Sequence, residues 1–164
     1  MQKITTFLTF EDRAEEAVDF YTSIFPDSRI VSTSRYGDAG PAPKGTFMSA
    51  EFELAGQPFI ALNGGPSFSF SQGISLFVRC ETQEEVDELW EKLSEGGEPG
   101  PCGWLTDKFG VSWQVIPRIL GELLRDEDPE KANRVMNAML GMGKIEIEGL
   151  RRAYEGADAP TPTR

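Results

Sequence analysis

The stretch Cys102–Pro117 holds the side chains most capable of chemistry: a thiol at Cys102, a carboxylate at Asp107, a carboxamide at Gln114 and indoles at Trp104 and Trp113. Asp107-Lys-Phe-Gly110 has the composition of a tight turn, because an Asp side chain can bond the backbone two residues on and Gly tolerates φ > 0. Short runs rich in β-branched and aromatic residues lie on both sides, so the stretch reads as a β-hairpin. Period-2 alternation in its second strand puts Ser112, Gln114 and Ile116 on one face and Trp113 and Val115 on the other. A glutamine thus projects from a strand otherwise built for burial. Asp107 could act as a general base, but its turn position favours a structural role. Cys102 could be a reactive thiol, yet no cation beside it in sequence would lower its pKa. Asn63-Gly-Gly-Pro66 could form a nest of backbone N–H groups for an anion; a strand-ending turn is the simpler reading, since no Gly-Lys-Ser/Thr follows.

The chain contains no histidine. That removes the commonest transition-metal ligand and the commonest general base together. Without an imidazole, serine and threonine hydroxyls need an activating base from elsewhere and make poor nucleophile candidates.

The elements that must position these residues follow from pattern. Ile4–Phe10 reads as a strand, and Asp12 with Glu15 three residues on as a capping box. Ala14, Ala17, Val18, Tyr21, Ile24 and Phe25 then fall at helical spacing up to Pro26. Strands are expected over 29–36, 46–54 and 58–63, then a Ser/Phe linker over 67–72 in which Phe68 and Phe70 are candidate lid residues. Ile74–Cys80 repeats Ile4–Phe10 at an offset of 70 residues, and Thr82 and Glu85 repeat Asp12 and Glu15. Val86, Leu89, Trp90 and Leu93 give a second helix, closed by Gly96-Gly97. Strands near 102–106 and 111–116 follow; one before Cys102 is doubtful because Pro99 and Pro101 interrupt it. Recurrence of strand, cap and helix in one order indicates a duplicated βαβββ unit. Beyond Pro117 the pattern is helical: a short turn or helix over 119–124, a helix capped by Asp128-Pro129, and a last one around Ile147–Tyr154. Met136, Met139 and Met142 suit packing or a dimer contact.

The chain is long enough for one domain with a sizeable core. A formal net charge of −11 argues against nucleic acid or an anionic membrane surface as partner. No apolar run reaches membrane-spanning length and no signal peptide is evident, so a cytoplasmic protein with free thiols at Cys80 and Cys102 is expected.

The duplicated pattern, Glu15–Tyr21 (EEAVDFY) and Asp107-x-x-Gly110-x-x-x-Gln114 resemble the vicinal oxygen chelate superfamily, the glyoxalase/bleomycin-resistance/dioxygenase fold. Phe25–Ser28, Leu62–Pro66, Cys102–Gln114 and Arg134–Met139 resemble its PhnB-like branch, often labelled 3-demethylubiquinone methyltransferase-like. The resemblance spans residues 3–156 and implies an α+β fold. Two βαβββ units, 3–66 and 73–117, would form a cupped, mostly antiparallel sheet, with a helical extension over 118–156. Together they would make a single glyoxalase-like domain over 1–156, leaving a disordered tail over 157–164. Metal ligands in that superfamily project into the cup from four strands. The corresponding positions here fall at Gln114, near Thr5, near 73–75 and near Asn63. None is a carboxylate or imidazole, and neutral amides and hydroxyls are weak donors for a divalent transition metal. No metal and no cofactor are therefore expected.

These residues imply a metal-independent, small-molecule-binding protein whose pocket is lined by Gln114, Asn63, Ser75, Thr5, Phe77 and Trp104. Gln114 and Asn63 could instead bond each other or the backbone in a filled interior, since a buried amide needs partners either way. Two alternatives remain open: a small-metabolite enzyme with metal held by Asp107, Glu51 or Glu53, and a dimeric interaction module with a filled cup. A homodimer is implied by the resemblance. Methyltransferase activity is disfavoured, because the antiparallel-looking strand runs lack the glycine-rich strand-to-helix turn of common S-adenosylmethionine enzymes.

Overall fold

The computed structural model describes residues 2–156; the tail expected to be disordered lies outside them. The chain divides between Phe70 and Ser71 into two compact units, at the linker the sequence marks. Each carries one copy of the repeat.

In the first unit, β1 (Thr6–Phe10) leads into α1 (Ala14–Ile24), then β2 (Arg29–Arg35), β3 (Phe47–Leu54) and β4 (Gln57–Asn63), in sheet order β1-β4-β3-β2. β1 lies parallel to β4 and the other pairs are antiparallel. Helix α1 buries Ala14, Ala17, Val18, Tyr21 and Ile24, the stripe that its 3.6-residue period predicts. The expected capping box is absent here: Arg13 occupies the cap position and makes no side-chain cap bond. The helix is capped from another strand, because β4 ends beside the end of β1, with Phe10 opposite Asn63. Asn63 Oδ1 accepts the Ala14 N–H at 2.8 Å. Phe70 packs edge-on against Phe10 at 5.1 Å, and Phe68 lies over Gly64, where an added Cβ would meet its ring at 2.9 Å. Of the two expected lid residues, Phe70 is thus packed within this unit, whereas Phe68 stays half-exposed.

In the second unit, β5 (Leu76–Cys80), α2 (Gln83–Ser94), β6 (Glu98–Pro99), β7 (Trp104–Thr106) and β8 (Ser112–Pro117) form a sheet of order β5-β8-β7-β6. Here the cap is as expected: Thr82 Oγ1 accepts the Glu85 N–H, and Glu85 reaches back to the Glu81 N–H at 2.8 Å. The doubtful strand before Cys102 exists as the two-residue β6, paired with Thr106 and Leu105. Proline is tolerated there because β6 is the sheet edge and needs no donor on its outer side. Helix α2 packs on β7 and β8, burying Val86, Leu89 and Leu93 on the side where Leu105, Trp113 and Val115 are also buried.

The β7–β8 hairpin is pinned by Asp107, which is 3 % exposed. Its Oδ1 accepts the Phe109 and Val111 amides at 2.9 and 3.0 Å, and its Oδ2 accepts the Trp113 indole N–H at 2.8 Å. A buried carboxylate needs such partners to offset its desolvation, so the candidate base is structural.

Helices α3 (Arg118–Leu124), α4 (Pro129–Leu140) and α5 (Ile147–Glu155) complete this unit. Leu120, Val135, Ile145 and Leu150 pack with Ile116 of β8, and Met139 and Met142 pack against that cluster. Asp128 caps α4 as expected, accepting the Glu130 N–H. Gln83 of α2 accepts the Ile147 N–H at 2.7 Å and donates to the Ile145 carbonyl at 3.0 Å, which ties α5 to the repeat. Arg134 closes α5 by donating to the Ala153 and Tyr154 carbonyls. No helix among the described residues is long and apolar enough to cross a membrane.

Candidate functional site

The face of the second sheet away from α2 carries the residues that the alternation of β8 projects outward. Gln114 stands opposite Phe77 on β5 and opposite Trp104 on β7. A carboxamide is therefore flanked in one cross-strand row by two aromatic side chains, both partly exposed at 47 % and 38 %. One end of the carboxamide is held: Gln114 Nε2 donates to Ser75 Oγ at 2.9 Å. Its oxygen makes no hydrogen bond among the described residues.

Trp104 is positioned by a strained approach. Cys102 and Gly103 both adopt left-handed backbone, φ 57 and 82, which a non-glycine residue does only where neighbours over-determine it. Their amides donate to the Met142 and Gly143 carbonyls at 2.7 and 2.8 Å. A side chain at Gly103 would be strained by its φ of 82, and its Cβ would crowd the Val115 carbonyl oxygen at 3.0 Å. The loop after α4 thus fixes the start of β7.

Helices α3 and α4 wall one end of this face. Leu120, Leu124 and Met139 close with Ile116, Gln114, Phe77 and Trp104 around a cavity of about 410 Å³. Arg79, Arg118 and Arg125 also line it. On the other side of Trp104 a second hollow of about 400 Å³ is lined by Glu98, Pro99, Cys102, Thr106 and Ser112. The Ser112 hydroxyl there is buried and has no hydrogen-bond partner among the described residues.

Of the six residues expected to line a pocket, the structure brings Gln114, Ser75, Phe77 and Trp104 together in the second unit. Thr5 and Asn63 belong to the first, and alternation along the paired strands β1 and β4 sets them apart. Thr5 shares the parity of Phe7, which is 53 % exposed, whereas Asn63 shares that of buried Phe59 and Ala61. Asn63 spends its oxygen on the α1 cap. Arg79 was readable two residues beyond Phe77 on the same strand face. The helical wall had no such signal, because it depends on how α3 and α4 pack.

Cys80 is fully buried, and burial, with Glu85 and Glu81 nearby, pushes its thiol up to about 12. It is inert packing. Asp87 sits below the usual carboxylate range because Lys144 and then Gln83 donate to it.

The profile of the 3-demethylubiquinone-9 3-methyltransferase family matches residues 2–116. A PhnB protein from Bacillus cereus bearing the same family description is 46% identical, over 71% of this chain and 99% of that one, with a TM-score of 0.65. The chain belongs to this PhnB-like family. The family is part of the vicinal oxygen chelate superfamily, as is the fosfomycin resistance protein FosX from Listeria monocytogenes. One FosX structure is 18% identical over 76% of this chain and 98% of that one, at a TM-score of 0.56, and shares the fold. A protein from Pseudomonas aeruginosa shares it likewise, at 21% identity, 71% and 98% coverage and a TM-score of 0.60. No curated protein matches the chain. The PhnB-like match ends at residue 116, so α3–α5 and the wall they build lie beyond it.

A metal of the kind some superfamily members carry does not fit the donors present. Gln114 and Ser75 are neutral and bonded to each other, and Asn63 is committed to α1. Of the three carboxylates named as substitutes, Asp107 is locked in the hairpin, Glu53 is paired with Arg29, and Glu51 stands exposed on β3 of the first unit. Among the described residues no three His, Cys, Asp or Glu side chains cluster.

Proposed function

We propose that this PhnB-like protein binds a small organic molecule, without metal, on the outward face of β5, β8 and β7. The observation that carries the reading is the row Phe77–Gln114–Trp104 on the wall of a cavity of about 410 Å³. A carboxamide with one end tied down and one end open, between two aromatic side chains, suits a planar ligand with a hydrogen-bonding edge. This face is not filled by the unit's own side chains, which weighs against the filled-module alternative. The activity in the family's name finds no support in the local architecture. The turns from β1 into α1 and from β5 into α2, Glu11–Arg13 and Glu81–Thr82, contain no glycine. A homodimer remains part of the proposal on family resemblance alone, and a cytoplasmic location on the free thiols at Cys80 and Cys102; light scattering checks the oligomer.

Elemental analysis with native mass spectrometry of the purified chain, without added metal or chelator, tests the reading. The expected result is no stoichiometric metal and a co-purifying small molecule at one per chain. Gln114→Leu should lose that molecule and keep the parent's melting temperature. A stoichiometric metal, or a bound molecule unaffected by Gln114→Leu and Trp104→Ala, would refute it.

A further inference from the structure

The cavity beside Gln114 has a charge opposite to that of the chain. The formal net charge is −11, yet among the described residues the cavity is lined by three arginines, Arg79, Arg118 and Arg125, and by no aspartate or glutamate. Arg118 pairs with Glu81 at 2.8 Å on the exposed rim. Among the described residues no carboxylate lies within ion-pair distance of Arg79 or Arg125. Arg79 lies over the Phe77 ring at 5.3 Å, and Arg125 folds back over Gly121, whose added Cβ would meet the guanidinium at 3.2 Å. Lacking an acid partner, these two guanidiniums keep their planar donor forks for an incoming oxyanion. Gln114 and the two aromatic side chains sit on the sheet side of the same cavity, and Leu120, Leu124 and Met139 supply an apolar wall.

Resting on the binding reading above, we infer that the ligand is a small aromatic oxyanion. Its planar ring lies along the Phe77–Gln114–Trp104 row, and its carboxylate or phosphate faces Arg79 and Arg125. Arg79 comes from the repeat, Arg118 from α3 and Arg125 from its C-cap, both beyond the family match. The helical extension is therefore the element that turns an open sheet face into an anion-selective cavity. An oxyanion here gains from local arginines and from steering into a cationic mouth on an otherwise acidic surface.

Calorimetric titration of the full chain with benzoate, phenyl phosphate, benzamide and inorganic phosphate tests this. Benzoate or phenyl phosphate should bind at least about tenfold more tightly than neutral benzamide, the change expected from one charge-assisted contact. Whichever binds more tightly identifies the oxyanion class. Raising the salt concentration should weaken the charged probes and leave benzamide unaffected. Arg79→Gln/Arg125→Gln replaces exposed side chains; it should erase the discrimination and leave the melting temperature unchanged. Benzamide binding as tightly as benzoate would overturn the anion inference and leave the binding reading standing. Inorganic phosphate binding as tightly as the aromatic anions would overturn it in favour of an adventitious ion only. No binding by any probe would overturn the inference as stated, and a co-purified neutral molecule would then separate its failure from that of the binding reading.

Discussion

Replacing Asp107 by asparagine removes one acceptor oxygen from a buried carboxylate that serves at least three donors. The two oxygens divide the work: Oδ1 takes the Phe109 and Val111 amides, and Oδ2 takes the Trp113 indole at 2.8 Å. An asparagine can keep its oxygen on the turn, but its NH2 then meets the indole N–H, donor against donor. The lost charge-assisted bond and the stranded buried donor overlap, and together should cost about 3 kcal/mol. In a Trp113→Phe background no indole N–H remains to be stranded, so the same change should cost only about 1 kcal/mol. Urea denaturation of the four proteins, followed by far-UV circular dichroism, gives the coupling of about 2 kcal/mol directly. A wild-type Asp107→Asn cost within about 0.5 kcal/mol, the range of an ordinary surface substitution, would refute the hairpin-pin reasoning. It would also return Asp107 to the list of candidate bases. The hairpin carries both Trp104 and Gln114, so the variant should weaken ligand binding in step with its loss of stability.

Asn63→Ala should cost about 1 kcal/mol by uncapping α1, as typical caps do, and should leave probe binding in the second unit unchanged; a binding loss without a stability loss would restore it as a pocket residue. A maleimide at about pH 8 should label one thiol per chain in the native state and two in denaturant, because Cys80 is buried with its thiol pushed up to about 12. Rapid native labelling of both would contradict that burial. Asp126 sits below its ordinary value of 3.8 because the Asp128 amide and then the Tyr154 hydroxyl donate to it. Its contribution is fully present above 3.8 and is lost as pH falls through the lower folded value. The melting temperature should therefore decline in that acid window, less steeply in Asp126→Asn, and equal slopes would contradict the assignment.

The tandem repeat was legible because short-range rules govern it. Helix stripes, strand alternation, the Thr82 cap, the Asp107 turn and the Asp128-Pro129 start all depend on residues a few positions apart. The same alternation placed Gln114 on the outward face, and the absence of histidine needed no structure at all. The Asp12–Glu15 capping box failed for the opposite reason. The parallel partner of β1 brings Asn63 from 49 positions away to the α1 N-terminus, and no local pattern announces that. Tertiary packing likewise decided that α3 and α4 wall the Gln114 face, and that Arg118 and Arg125 join Arg79 around one cavity. Sequence specifies which side chains leave a strand and on which side, because backbone geometry repeats every two residues. What they meet there depends on long-range packing, and in this protein that packing sets a cationic cavity into an acidic chain.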